Sequence, residues 1–217
     1  GPTANMYGIE CFKKLKSGVC PSKKCLTPSI CPVLKIDHQT QISILKQVRS
    51  LPGMKRVFVA SGIRYDMVLG DIHAGKQYLQ ELVNHHISGQ LKLAPEHIDE
   101  RVLNLMGKPG SAALLKFTEL FDQCNRAIGK DQYLTYYFIA AHPGCNDQEM
   151  RSLKRFTRIR LRMNPEQVQI FTPTPSTYSS VMYYTGLDPF TLQPIFVEKN
   201  LTRKQRQKII LVTKSGD

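Results

Sequence analysis

The sequence predicts an α/β fold in which parallel strands alternate with crossover helices. Short runs of β-branched and aromatic residues alternate with longer stretches of helical periodicity. Strand starts fall roughly 35–45 residues apart, which is the length of a strand, a crossover helix and two loops. Charged, hydroxyl and imidazole side chains follow the strands, where parallel α/β folds build their sites. These features indicate consecutive β/α units.

Four strands and four main helices are predicted. The strands, each bounded by Gly, Pro or Asn, are Lys55 to Ala60, Gln90 to Ala94, Tyr133 to Ala141 and Gln167 to Phe171. The helices are Thr40 to Ser50, Lys76 to His86, Ser111 to Ile128 and Gln148 to Met163. Because four strands are too few to close a barrel, we expect either an open sheet or further strands outside this chain.

Three regions of different composition are predicted along the chain. Residues 1–38 are rich in cysteine, residues 39–198 hold the β/α units, and residues 199–217 form a basic tail. In that tail the segment from Lys199 to Lys208 predicts a basic helix that extends from the core.

Composition and charge bound the class of protein. The 217 residues include 41% hydrophobic residues and carry a formal net charge of +13, which excludes collagen, coiled coil and wholesale disorder. No apolar run reaches the ~18 residues of a membrane-spanning helix, and the start lacks a secretory signal pattern. We therefore expect a soluble, cytoplasmic protein with no membrane association. The charge indicates an anionic partner, such as nucleic acid or a phosphorylated substrate.

Four cysteines form the main candidate for a metal site. Cys11, Cys20, Cys25 and Cys31 lie within 21 residues of one another. Four thiolates suit tetrahedral zinc or an iron–sulfur cluster, although the spacing is not that of a paired CxxC knuckle. Unligated thiols in a reducing compartment and disulfides are the two alternatives.

Polar residues after the predicted strands are candidates for a binding site. Arg64 can hold a carboxylate through its planar fork, or it can pair internally with Asp66. Glu96 and His97 can bind ribose hydroxyls or transfer protons, although Glu96 can equally be an acid in the first turn of a helix. His142, which precedes Pro143 and Gly144, is either a site residue or a loop histidine with satisfied hydrogen bonds.

The helix from Gln148 to Met163 is strongly basic. Its apolar residues recur at helical spacing, so it is first an amphipathic outer helix. A phosphate-binding face is the alternative, and it would be made by Arg151, Lys154, Arg155, Arg158, Arg160 and Arg162.

Seven motifs occur in an order that resembles one family over nearly the whole chain. They are GPTANMY from Gly1, SGIRYD from Ser61, LKLAPEH from Leu91, KPG from Lys108, HPG from His142, QVQIFTPTP from Gln167 and MYYTG from Met182. Together they resemble the YgiQ-type radical S-adenosylmethionine proteins, which are also catalogued as a UPF0313-like uncharacterised family. The resemblance implies a partial β/α barrel.

In that family, the resemblance implies, a CxxxCxxC loop after the first strand holds a [4Fe–4S] cluster that binds S-adenosylmethionine and generates a 5′-deoxyadenosyl radical. The loop is absent from these 217 residues. The chain therefore resembles the later part of the catalytic domain, and we expect it to be inactive alone, with the substrate of the whole enzyme unknown. The cysteine-rich segment would hold zinc or an auxiliary iron–sulfur cluster. The alternative function is a non-catalytic, zinc-containing module that binds nucleic acid.

The resemblance also implies which residues contact S-adenosylmethionine. These are Gly1, Pro2 and Thr3 at its amino group, Ser61 and Arg64 at its carboxylate, Glu96 and His97 at the ribose, and His142, Pro143 and Gly144 at the adenine.

Overall fold

The computed structural model of the chain describes residues 9–18, 20, 25–27, 29–60 and 62–213. The described residues fall into two compact units. The first unit draws on Gly1–Ala94 and Ala112–Thr135, and the second draws on Pro95–Ser111 and Tyr136–Asp217.

The first unit is mainly helical. Its short elements near the start are β1 (Glu10–Cys11), α1 (Phe12–Ser17) and β2 (Leu34–Lys35), and β1 pairs with β2 in antiparallel fashion. Its helices are α2 (Gln39–Arg49), α3 (Tyr65–Gly70), α4 (Gly75–Glu81), a π-helical turn over Leu82–His86, and nearly all of α6 (Ser111–Ile128).

A row of buried apolar side chains along α6 explains why this segment is helical and how it packs. Leu114, Phe117 and Phe121 recur at spacings of three and four residues and are fully buried. The ring of Phe117 lies 6.0 Å from that of Tyr65, which begins α3. The α6 prediction is confirmed, and so is the prediction of a helix from residue 76, which the structure divides into α4 and the π-helical turn.

The sheet contains three strands in the order β3, β4, β5. They are β3 (Gln90–Glu96), β4 (Tyr133–Ala140) and β5 (Gln167–Ile170). Strands β4 and β5 run parallel, with a register from Tyr137 opposite Gln167 to Ala140 opposite Ile170. Three of the four predicted strands are thus confirmed, and the fold is α/β.

The fourth predicted strand, Lys55 to Ala60, is wrong as a strand assignment. The segment is extended and mostly exposed, and its Val59 amide donates to the carbonyl of His86 at 2.8 Å. Within the described ranges, one backbone hydrogen bond joins it to β3, from the Lys92 amide to the Ala60 carbonyl at 3.0 Å. A strand requires a repeated ladder of such bonds, which this single contact does not supply.

The helices of the second unit are α5 (Glu100–Met106), α7 (Asp147–Ile159), α8 (Tyr178–Thr185) and α9 (Leu201–Val212). A capping box begins α7, because the Asn146 side chain accepts from the first turn while the Glu149 carboxylate accepts from the Asn146 amide at 2.8 Å. The predicted basic tail helix is confirmed as α9, but its extension away from the core is wrong. It packs on α7 and β5, and Gln207 and Leu211 are each 1% exposed.

None of the described helices is both long enough and apolar enough to cross a membrane.

Candidate functional site

Two strand ends in the second unit have unusual backbone geometry. Glu96, the last residue of β3, has φ of 65°, and Ala141, which follows β4, has φ of 59°. Non-glycine residues avoid this left-handed region, at a cost of about 1–3 kcal/mol each, and such strain concentrates at binding sites. Around these positions lies a group of side chains that we name the strand-end site: Glu96, His97, His142, Cys145 and Ser179.

His97 is fully enclosed within the strand-end site. Its Nδ1 accepts from the Asp99 amide at 3.0 Å, so the proton of the neutral ring is on Nε2, which lies 3.5 Å from the Cys145 sulfur. Burial lowers the pKa of His97 to about 4, with the nearby His142 lowering it further and Asp99 opposing the shift. The ring is therefore neutral at pH 7, and both of its nitrogens are engaged.

Cys145 is also fully buried, and it is a thiol rather than a thiolate. Burial raises its pKa far above the usual range, and the carboxylate of Glu149 adds to this effect. Its sulfur lies 3.7 Å from both the Asn146 carbonyl and the Gln207 side-chain oxygen, and either oxygen can accept a hydrogen bond from the thiol. Gln207 on α9 also accepts from the Ala141 amide at 3.0 Å. These contacts hold the loop after β4 in place, and a protonated buried thiol is not a nucleophile.

His142 makes a different pair of contacts. Its Nδ1 lies 2.7 Å from the Pro143 carbonyl, to which it donates, so its Nε2 accepts from the Ser179 hydroxyl at 2.8 Å. The ring of Phe171 packs edge-on against it at 5.0 Å. Burial lowers the pKa of His142 to about 4, although the Pro143 carbonyl raises it, so this ring is also neutral at pH 7.

Glu96 supplies a partly accessible charge in the strand-end site. Its Oε1 lies 2.8 Å from the Lys108 ammonium group, and each of these side chains is about one-fifth exposed. Burial raises the pKa of the nearby Tyr137, and the carboxylate of Glu96 contributes to this shift. Because about one-fifth of its side chain is exposed, Glu96 can accept hydrogen bonds from a neutral ligand.

Position 144 requires glycine because of its backbone conformation and the side chain packed against it. Its φ is 88°, and a Cβ atom built on it would lie 2.3 Å from Leu105 Cδ1. Its amide donates to the Phe196 carbonyl at 2.7 Å. Because His142 also bonds the Pro143 carbonyl, the HPG motif forms a tight turn after β4 whose polar backbone groups are bonded within the second unit.

Arg64 lies in the first unit and forms an ion pair with Asp66. Its Nε donates to Oδ1 at 2.8 Å and its Nη2 to Oδ2 at 2.6 Å. This is the internal pair that the sequence offered as the alternative, and the role of Arg64 at a cofactor carboxylate stays a prediction. Gly1, Pro2, Thr3 and Ser61 lie outside the described residues.

The cysteine-rich segment is described in part. Cys11 ends β1, and Cys31 is held in a turn in which its amide donates to the Cys25 carbonyl at 2.8 Å. Cys11, Cys20, Cys25 and Cys31 are all free thiols. Over the described ranges, no group of three or more His, Cys, Asp or Glu side chains is placed to hold a metal ion. The zinc or iron–sulfur site stays a prediction.

Three members or supports of the strand-end site were missed from the sequence. Cys145 stands apart from the cysteine cluster, Ser179 lies in a run of hydroxyl residues, and Gln207 belongs to the basic tail. For Cys145, its position directly after the HPG motif is a usable signal. For Ser179 and Gln207 the sequence gives none.

The fold and the site define a class: an α/β protein whose polar side chains gather beyond the carboxyl ends of neighbouring strands. A family profile described as "Domain of unknown function (DUF3362)" matches residues 166–213. The chain is 56% identical over 214 residues to a UPF0313 protein of Fusobacterium nucleatum, covering 99% of this chain and 38% of that protein. It is 45% identical to one of Methanosarcina acetivorans, covering 97% of this chain and 28% of that protein.

A UPF0313 protein of Clostridium perfringens is 40% identical over 215 residues, which covers 99% of this chain and 32% of that protein. The chain therefore belongs to the UPF0313 family, which confirms that part of the resemblance, whereas the radical S-adenosylmethionine link stays a prediction. It spans about a third of the length of these relatives.

Proposed function

We propose that this chain is the later β/α part of a radical S-adenosylmethionine barrel, and that its strand-end site binds the adenosyl portion of that cofactor. The observation that carries the proposal is the left-handed backbone of Glu96, which presents a partly exposed carboxylate at the carboxyl end of β3. The family motifs support the reaction class.

Two side chains of the strand-end site are suited to contact a nucleoside, and a third is not. A carboxylate such as that of Glu96 accepts hydrogen bonds from vicinal ribose hydroxyls. Ser179 is half-buried, and after it donates to His142 its oxygen still has a lone pair for an adenine amino group. His97 fits a direct contact poorly, because it is 1% exposed and both of its nitrogens are engaged. We therefore assign His97 to bonding the Asp99 amide and the Cys145 sulfur rather than to holding the ribose.

The [4Fe–4S] cluster does not fit the residues of this chain. The 217 residues contain no CxxxCxxC sequence, and the strand-end site offers one buried, protonated thiol. In the longer enzyme, a cluster bound elsewhere would supply the electron that cleaves S-adenosylmethionine. The residues described here would bind and orient the nucleoside and exclude water from it.

Replacement of Glu96 by Gln in a full-length UPF0313 protein tests the proposal. The change keeps the shape but removes the charge-assisted hydrogen bonds, which are worth about 1.5–3 kcal/mol. We expect affinity for S-adenosylmethionine, measured by isothermal titration calorimetry, to fall roughly 10- to 150-fold. The matched control is Glu166→Gln, an exposed carboxylate that should leave affinity unchanged.

Thermal unfolding of the same two variants separates binding from stability. Loss of the Lys108 pair alone predicts a lower melting temperature with unchanged cofactor affinity. That result would remove Glu96 from the cofactor site and leave it a purely structural acid.

A further inference from the structure

The second unit carries a basic stripe along α7 that the proposed function does not use. Its members recur at spacings of three and four residues and line an open surface cavity together with the 65% exposed Ile159. The opposite side of α7 is buried through Met150, Leu153 and Thr157. We define the α7 stripe as Arg151, Lys154, Arg155 and Arg158.

The acidic residues in the first turn of α7 do not pair with Arg151, Lys154 or Arg155. Asp147 and Glu149 lie in the first turn of α7 and are paired elsewhere, with Arg206 at 2.8 Å and with Arg101 at 2.7 Å. In the part of the chain that the structure describes, Arg151, Lys154 and Arg155 have no carboxylate partner. Unpaired cations crowded on one face repel one another, and an anion bound across them relieves that repulsion.

The length of the stripe fits several phosphates in a row. Arg158 lies seven positions after Arg151 along the α-helix, a span of about 10 Å. One strand of a nucleic-acid duplex places a charge about every 3.4 Å along its axis, so the stripe spans about three phosphates. Single strands are bound through exposed aromatic side chains on which bases stack, and the stripe has none.

We propose that the α7 stripe docks the phosphate backbone of a nucleic-acid duplex. The contact neutralises phosphates and releases their counterions, so it is tolerant of sequence and sensitive to salt. With about three phosphates neutralised, the slope of log affinity against log salt is about −2.7, which is roughly a 40-fold loss between 50 and 200 mM salt. This surface stands independently of the strand-end site and of any cofactor.

The test compares two charge-matched variants of the chain. Arg151→Gln/Lys154→Gln/Arg155→Gln removes three positive charges from the stripe. Lys13→Gln/Lys14→Gln/Lys16→Gln removes three from the exposed face of α1 in the first unit. Binding of a fluorescent 20-base-pair duplex and of one of its single strands is measured by anisotropy over a series of salt concentrations.

The expected result is a loss of affinity of at least about tenfold at 50 mM salt, and a salt slope shallower by about 2.7, for the α7 variant only. Equal losses in the two variants would show attraction to net charge alone and overturn the proposal. Tighter binding of the single strand than of the duplex would overturn the choice of partner. Circular dichroism melting of each variant confirms that the proteins compared are folded.

Discussion

The two units bury their histidines against opposite kinds of partner. In the first unit, His38 Nδ1 lies 2.7 Å from the Asp71 carboxylate, and His86 Nε2 lies 3.3 Å from that of Glu81. In the second unit, His97 and His142 bond an amide, a thiol, a carbonyl and a hydroxyl. All four rings are at most 3% exposed, so burial alone does not distinguish them.

The difference teaches that the partner of a buried imidazole decides its response to acid. A carboxylate compensates a protonated ring, whereas a carbonyl or hydroxyl does so only weakly. The two histidines of the second unit are therefore held by neutral polar groups. The histidines of the first unit instead lie against buried carboxylates.

Acid is expected to have the largest effect, and to act on the second unit. The pKa values of His97 and His142 are lowered to about 4 from an unfolded value of 6.5. Below pH 6.5 the unfolded chain binds protons at these histidines that the folded chain does not bind. The stability that the two neutral rings contribute is therefore fully present above pH 6.5 and is lost as the pH falls toward 4. Two such groups predict a loss of about 4–5 kcal/mol between pH 7 and pH 4.5.

Hydrogen exchange read segment by segment measures this effect in each unit. Protection of β4 and α7 should fall between pH 6.5 and 4.5 after correction for intrinsic exchange rates. In the first unit, burial raises the pKa of Asp71, but hydrogen bonds from Ala74 and His38 outweigh burial and lower this pKa below 3.8. The stability that Asp71 contributes is therefore lost only as the pH falls through 3.8 and lower. Equal loss in both units would contradict the comparison.

Removal of the Asp71 carboxylate is the next largest expected effect. This side chain accepts from His38 Nδ1 and from the amides of His38, His73 and Ala74 at 2.7–3.1 Å. Asp71→Ala leaves those donors buried without an acceptor, and we expect a loss of about 3–5 kcal/mol in urea unfolding. Asp131→Ala, an exposed acid in the same unit, should cost under about 0.5 kcal/mol. A small loss for Asp71→Ala would show that its pair with His38 is not essential.

The parts of the fold that the sequence predicted are those with a long or strongly periodic pattern. Helix α6 has 18 residues and α7 has 13, and strands β3, β4 and β5 are β-rich runs between turn residues. Helices α3, α5 and α8 were missed because they have six to eight residues, about two turns, which is too short for a period to show. The Lys55 to Ala60 segment has strand composition but lacks a ladder, because pairing depends on neighbours that are distant in sequence.

The candidate site was predictable only where function follows position on a strand. Glu96, His97 and His142 were chosen because each follows a predicted strand. The contacts that decide their chemistry come from far along the chain: Ser179 is 37 residues from His142, and Gln207 is 62 residues from Cys145. Periodicity cannot report such contacts. The Arg64–Asp66 pair is the reverse case, because a spacing of two residues made it visible as an alternative.

The smallest expected effect comes from removing the hydroxyl that donates to His142 and orients its ring. Ser179→Ala leaves His142 Nε2 buried without its donor, which costs about 1–3 kcal/mol. Ser152→Ala, on the exposed face of α7, is the matched control and should change stability by less than about 0.5 kcal/mol. Nitrogen NMR of the imidazole adds a second readout. The proton should remain on Nδ1, because Nδ1 still donates to the Pro143 carbonyl, while the Nε2 resonance should move. If stability and the Nε2 resonance are both unchanged, Ser179 does not hold the His142 ring in its orientation.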